Sequence, residues 1–470
     1  MTIEISGGAV IAVATASMDA AFADCTAVVA ALRAVALDAD ELTRPLSAIR
    51  PRTTVDAEQQ AAIEARLARH RLVLATDRLE AARGALRTAT DLYTALEQAL
   101  AGARSAGGRV AAHTMGAATA VAPFSLLPAA ALVLVPAVLR AAESVGADAS
   151  AQDLLGAVLA DAAVIDLIRT VSGSLDEFTQ GALLLPLPIA ALAGDGGSGV
   201  LGREAVAGML LAALTTAGVL GGGAVAIDRR PRESPRPPAS LEDLVERVPH
   251  GGDEQIVIER YADGDGRVHA VVYVGGTRDS QAQPWDMTSN VAAVAGADAG
   301  SVRATEAAMR EAGIGRDDPV VFVGYSQGGL VAGRLVESGE WNTAGLVTAG
   351  SPGGATPVPH GVPVVALEHD EDVIVALGGT DGRSTAEQHT VVVSRSVVDG
   401  GSGGGMLAGH GLGDYRETAA QADSSSDPAL AMVRAEVLGG LAGTRGVGAD
   451  GWTATRVSAD GPRADAGSNR

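Results

Sequence analysis

One serine in this chain stands where a nucleophile can be made. Gly324-Tyr325-Ser326-Gln327-Gly328 follows directly on the apolar run Val320-Val321-Phe322-Val323, which Asp318-Pro319 opens. It leads without a break into Gly329-Leu330-Val331-Ala332, which starts as a helix starts. A G-x-S-x-G stretch between strand and helix turns the chain so sharply that the serine takes a strained backbone conformation. The flanking glycines let strand and helix approach closely, and the hydroxyl is left above the helix N-terminus. The pattern alone is weak, because 27 serines and 60 glycines in 470 residues give about 0.4 matches by chance. It occurs twice, the other copy being Gly400-Gly401-Ser402-Gly403-Gly404, inside a glycine run with no helical pattern after it. Context therefore selects Ser326.

A serine hydroxyl needs a base, and the base needs an acid to orient it. The chain has eight histidines. His70 and His113 lie far upstream, His250 and His269 flank or enter an early hairpin, His360 lies between strands, His369 abuts an acidic cluster and His389 opens a strand. Only His410, in Ala408-Gly409-His410-Gly411-Leu412, follows the last predicted strand in a glycine-rich loop. The strand Val362–Leu367 runs into Glu368-His369-Asp370-Glu371-Asp372. Asp372 is the favoured acid because Val373-Ile374 follow it as an apolar anchor; Asp370 is the alternative. The backbone N–H groups of Gln327, next after the serine, and of Thr277, in Gly275-Gly276-Thr277 after an early strand, are the candidate oxyanion donors.

These residues must be carried by a sheet. Gln255–Tyr261 and Val268–Val274 flank the turn Asp263-Gly264-Asp265-Gly266 and predict a hairpin. Val320–Val323, Gly345–Ala349, Val362–Leu367 and Thr390–Ser394 are short, valine-rich strands, with helices expected over Thr305–Ala312 and Gly329–Val336. Such alternation predicts an α/β domain with a mostly parallel sheet covered on both faces. We place it at residues 241–440, with a disordered, Gly/Asp/Arg/Ala-rich tail at 441–470.

The 470-residue length implies two or three domains. Residues 1–104 are Ala-rich, with Leu72, Leu79 and Leu86 seven apart and Leu92, Leu96 and Leu100 four apart, which predicts an all-α helical hairpin. Residues 105–227 contain two uncharged runs, 115–139 and 205–227, each long enough to cross a bilayer. Pro123, Pro128 and Pro136, the Ala/Gly content and the lack of a Trp or Tyr belt argue instead for buried Ala-rich helices, and both readings stay open here. Residues 228–240, DRRPRESPRPPAS, predict an extended, solvated linker. A net charge of −21 argues against general nucleic-acid binding. A single cysteine, Cys25, excludes intrachain disulfides and the usual cysteine-based metal sites. Met1–Val10 lacks a basic start and Glu4 interrupts its apolar run, so a Sec signal peptide is not expected.

The stretches GYSQGG at 324–329, TAGSP at 348–352, VGGT at 274–277 and GHGLGDY at 409–415 resemble the α/β-hydrolase superfamily. The closer likeness is to actinobacterial cutinase-like and PE-PPE-type serine esterases and lipases. The resemblance implies ester hydrolysis through an acyl-enzyme, with an acyl ester, lipids included, as substrate and neither metal nor cofactor. The helical pattern of residues 1–104 is similar to helical-hairpin modules exported by type VII secretion, which implies contact with a membrane or secretion machinery through residues 1–227. Two other functions remain at this point. One is an acyltransferase built on the same triad. The other is an interaction protein carrying a degenerate hydrolase domain. The short spacing from Ser326 to Asp372 leaves no room for a large lid there and predicts an open site.

Overall fold

The computed structural model describes residues 3–6, 126–145, 157–187, 223–278, 282–353, 356–379, 389–397 and 409–457, together with scattered positions between 70 and 117 and at 154, 189, 190 and 407. The chain divides into two compact units, Ile11–Ala103 and the remainder. In the first, residues 70, 71, 73, 76, 77 and 80 are helical. Apart from residues 3–6, the rest of the predicted hairpin lies outside the described residues, as do residues 205–222 of the second apolar run and 458–470 of the tail.

The larger unit is built on a nine-stranded mixed sheet of order β1-β8-β7-β6-β5-β4-β3-β9-β2. Its strands are β1 (Glu4–Ser6), β2 (Val225–Arg232), β3 (Ile256–Ala262), β4 (Val268–Val274), β5 (Val320–Tyr325), β6 (Thr343–Ala349), β7 (Val364–His369), β8 (Thr390–Arg395) and β9 (Arg445–Arg456). Strands β4 to β8 are parallel and lie in chain order. Right-handed crossovers between successive parallel neighbours put their helices on one face. Accordingly α5 (Met287–Val294), α6 (Gly300–Glu311) and α7 (Gln327–Glu337) pack together, α7 over β4, β5 and β6, and α6 over β2, β3 and β9. The opposite face is covered by helices from outside that series. They are α4 (Leu241–Glu246), which precedes β3, and α9 (Leu412–Asp423) and α10 (Pro428–Gly439), which follow β8. With helices on both sides, β5 is buried along its whole length, which is why its sequence is an unbroken apolar run.

Register brings the carboxyl ends of the central strands level. Val274 pairs with Gly324, Tyr325 with Ala349, and Ala349 with Leu367. The loops that leave β4, β5, β6 and β7 therefore open side by side. The Asp263–Gly266 turn is closed as expected, with Gly266 at φ +82° and the Asp263 carboxylate accepting from the Asp265 and Arg267 amides at 2.9 Å.

The remaining helices are α1 (Leu126–Val145), α2 (Ala162–Gly173), α3 (Leu175–Ala182) and the single turn α8 (Val373–Ala376). Ala137 and Ala141 of α1 pack with Val158 and Val164, and α2 packs against α8. No helix among the described residues is long and apolar enough to cross a membrane.

Three boundaries drawn from sequence are corrected. The segment 228–240 is not a free linker, because Asp228–Arg232 belongs to edge strand β2, paired with β9. Its charge suits an edge: Arg229 and Arg260 both bind the buried Asp450 carboxylate, at 2.8 and 2.7 Å, and Pro231 is tolerated where one side of the strand has no partner among the described residues. The tail beginning at 441 is not disordered through its length, because β9 inserts between β3 and β2 and buries Trp452 and Ala454. Finally, the α/β unit does not begin at 241: β1, at residues 4–6, pairs antiparallel with β8. The predicted all-α start of the chain therefore opens with a strand.

If β9 is integral, Trp452→Ala should cost about 3–5 kcal/mol in urea unfolding, as removal of a buried large aromatic does. An unchanged unfolding midpoint would return the segment to the status of a tail.

Candidate active site

Ser326 sits between β5 and α7 with φ +55° and ψ −124°. Leu184 is the only other non-glycine with positive φ among the described residues. Such a backbone costs on the order of 1–3 kcal/mol and persists only where the surroundings fix it. Here they do. A Cβ on Gly324 would collide with the backbone of Gly328 and Gly329, and one on Gly328 would collide with the Val274 carbonyl. Both motif glycines are thus required by contact between sheet and helix. The Ser326 amide donates to the Ala349 carbonyl at 2.9 Å, and its own carbonyl accepts from Gly329 N–H at 3.0 Å.

His410 reaches this serine from the loop before α9. Its Nε2 lies 2.9 Å from Ser326 Oγ, and its Nδ1 lies 2.7 Å from Asp372 Oδ2. A carboxylate only accepts, so the proton sits on Nδ1 and the Nε2 lone pair faces the serine hydroxyl. This is the tautomer a general base needs. Tyr325 holds the ring in place: its phenol stacks on the imidazole with centroids 5.1 Å apart, and its hydroxyl donates to the His410 carbonyl at 2.5 Å. Burial, with the Asp372 and Asp414 charges behind it, pushes the Tyr325 hydroxyl well above its ordinary value, so it keeps its proton.

Asp372 is fully buried. It caps α8 by accepting from the Ile374 amide through Oδ1 at 2.8 Å, while Oδ2 accepts from His410 and from the Tyr415 hydroxyl at 2.6 Å. Capping, more than the apolar anchor, turns the carboxylate inward, since Val373 and Ile374 are only half-buried. Asp370, the alternative acid, is exposed and touches none of these groups; its amide donates to the Arg395 carbonyl at 3.1 Å. Partial loss of water and the carboxylates of Glu371 and Glu4 raise its proton affinity, with Arg169 opposing them.

The two oxyanion candidates flank the serine. A Cβ on Gly276 would lie 3.1 Å from Ser326 Cβ, so the strand-end Gly-Gly pair brings Thr277 alongside the nucleophile. Among the described residues neither the Thr277 nor the Gln327 amide has an acceptor, which leaves both N–H groups free for an incoming oxygen. Ser326 and His410 are only 7% and 6% exposed, because the β4 loop and the Tyr325 ring approach the serine and the imidazole closely.

Sequence reasoning missed Tyr325 and Tyr415, although both lie inside the motifs it used. It also missed why TAGSP carries its glycine. Gly350 has φ +57°, and a Cβ there would lie 2.6 Å from the Tyr415 ring and 3.1 Å from Asp372 Oδ2. Of the other histidines, His269 faces Asp263 at 3.3 Å and His113 binds the Leu185 carbonyl at 2.9 Å, while His250 lies edge-on to the Tyr325 ring with centroids 6.0 Å apart.

Asp372→Asn should lower ester turnover by roughly 10³- to 10⁴-fold, because an amide cannot hold the imidazole in the required tautomer. Asp370→Asn should stay within about threefold of the parent. The reverse ranking in kcat would reassign the acid. No protein-family model, curated protein or solved structure matches this chain.

Proposed function

We propose that this chain is a serine hydrolase of carboxylic esters, of esterase or lipase type, acting through Ser326, His410 and Asp372 by way of an acyl-enzyme. The observation that carries the reading is the line of hydrogen bonds from Ser326 Oγ through His410 to Asp372, 2.9 and 2.7 Å long, starting at a strained serine between strand and helix. The chain order Ser, Asp, His and the placement of each at the carboxyl end of a parallel sheet support assigning the unit to the α/β-hydrolase type, with the cutinase-like and PE-PPE-type enzymes as the nearer comparison.

In this mechanism His410 Nε2 takes the hydroxyl proton as Ser326 Oγ attacks the ester carbonyl carbon. The carbonyl oxygen becomes an oxyanion held by the Gln327 and Thr277 N–H groups, each worth on the order of 10²–10³ in rate. The buried Asp372 carboxylate stabilises the imidazolium that forms. His410 then protonates the departing alkoxide as the carbon–oxygen bond breaks, leaving the acyl group on Ser326. Water, deprotonated by the same imidazole, attacks the acyl-enzyme, and the proton returns to Oγ as the carboxylic acid leaves. Both halves of the reaction use one base whose tautomer is set by one carboxylate. The intact hydrogen-bond line speaks against a degenerate domain.

Ser326→Ala should cut p-nitrophenyl ester turnover by at least roughly 10³-fold while leaving the circular dichroism spectrum and melting temperature near those of the parent. Turnover retained in this folded variant would refute the assignment.

A further inference from the structure

Behind the three reacting residues lies a buried histidine that the reaction does not use. His369, 1% exposed at the end of β7, stacks on the Tyr415 ring with centroids 3.7 Å apart and planes 7° from parallel. Its Nδ1 lies 2.5 Å from the Gly409 carbonyl, in the residue immediately before His410. A carbonyl can only accept, so Nδ1 carries the proton and donates it there. Its Nε2 lies 2.8 Å from the Thr418 hydroxyl, and its backbone N–H donates to the Tyr415 hydroxyl oxygen at 3.2 Å. That hydroxyl in turn donates to Asp372 Oδ2, the oxygen that also receives His410 Nδ1–H.

We propose that His369 and Tyr415 form a positioning pair for the triad: His369 holds the imidazole-bearing loop by the Gly409 carbonyl, and Tyr415 holds the carboxylate by the oxygen it shares with His410. The proposal rests on the hydrolase reading for its kinetic consequences and stands on the hydrogen bonds for its geometry.

Charge and burial agree with these roles. Burial lowers the proton affinity of His369, and Arg395 adds to that, against the Gly409 carbonyl, Asp372 and Asp414. On a neutral ring protonated at Nδ1, Nε2 is an acceptor, so the one Thr418 hydroxyl proton is shared between Nε2 at 2.8 Å and the Asp414 carbonyl at 2.9 Å, and that carbonyl also accepts from the Arg395 guanidinium at 3.0 Å. Tyr415 is pushed well above its ordinary value by burial and then by Asp372, so it stays protonated and remains a donor. The ionisable groups facing Asp372 are thus His410, Tyr415, Tyr325 and His369. Removing the Tyr415 hydroxyl would leave Oδ2 with one donor in place of two. The carboxylate would then bind the remaining proton, on His410 Nδ1, more strongly, and the imidazole would give up its catalytic proton less readily.

The test compares the full chain with its Tyr415→Phe, His369→Phe and His369→Asn variants. The low-field proton NMR resonance of the His410–Asp372 bridge is followed beside the pH profile of p-nitrophenyl ester kcat/KM. In Tyr415→Phe the bridging resonance should move to lower field, and the acid limb of the profile should move up by about one pH unit, the worth of one hydrogen bond to a charge. His369→Phe keeps the stack and loses the Gly409 bond. It should lower kcat by roughly 10- to 100-fold with little change in KM, as misplacement of a catalytic group does. His369→Asn, whose amide nitrogen can occupy the place of Nδ1, should recover part of that loss. A bridging resonance and an acid limb both unmoved in Tyr415→Phe would overturn the proposal, as would equal losses in the two His369 variants. Should Tyr415→Phe fail to fold, the His369 pair decides. If the parent turns over no ester while the resonance still moves as expected, the ester reading fails and the positioning pair stands.

Discussion

The structure of the site rests on a steric constraint: α7 must begin almost in contact with the ends of β4 and β5. Only glycine at 324 and 328 permits that approach, and the approach holds Ser326 at φ +55°. A relaxed serine would need a longer turn, and a longer turn would carry the hydroxyl away from the edge where the β4, β6 and β7 loops converge. The same tightness leaves the Gln327 amide at the start of α7 beside the hydroxyl and, among the described residues, without an acceptor. The strain and the placement of Ser326 and of the Gln327 amide therefore come from one packing decision.

Around that turn the site is closed by aromatic rings. Tyr325 lies on one side of His410 and Tyr415 edge-on to it, with His369 stacked behind Tyr415. Aromatics make up only 3% of the chain, so their concentration here is notable on composition alone. Rings with few rotatable bonds fix geometry at low entropic cost, and each phenol supplies one donor to a group that must not move. Excluding water from the Asp372–His410 pair strengthens its hydrogen bond, while the Ile374 amide and the Tyr415 hydroxyl compensate the buried carboxylate for lost solvent.

The three residues that the structure brings together, Ser326, Asp372 and His410, were legible in sequence because their signals are local: an elbow between a strand and a helix, and two loops that each follow a valine-rich strand. The sheet's edges were not. Strand β9 reads as a tail because it contains Gly446, Gly448 and Gly451 and a buried Asp450, with no run of large apolar residues. What neutralises Asp450 is Arg229, 221 positions away, with Arg260, so no window of sequence contains the explanation. Strand β2 reads as a linker because an edge strand can carry arginines and a proline that a central strand cannot. Trp452, in an otherwise small-residue stretch, was the one available sign that the tail is packed. The contacts of His369 and Tyr415 escaped for the same reason as those of Asp450: their partners are distant in sequence, and neither residue belongs to a spacing rule. The short strand β1 is defined only by its pairing with β8.

The central claim is that His410 and Asp372 make the Ser326 hydroxyl nucleophilic. Intact-mass spectrometry after exposure to a fluorophosphonate addresses it directly, because the reagent bonds fastest to an activated serine and its site can be mapped by peptide digestion. The account predicts one adduct per chain, on Ser326, and a labelling rate reduced by roughly 10³-fold or more in His410→Ala. An adduct on another residue, or equally fast labelling of Ser326 without the imidazole, would contradict it.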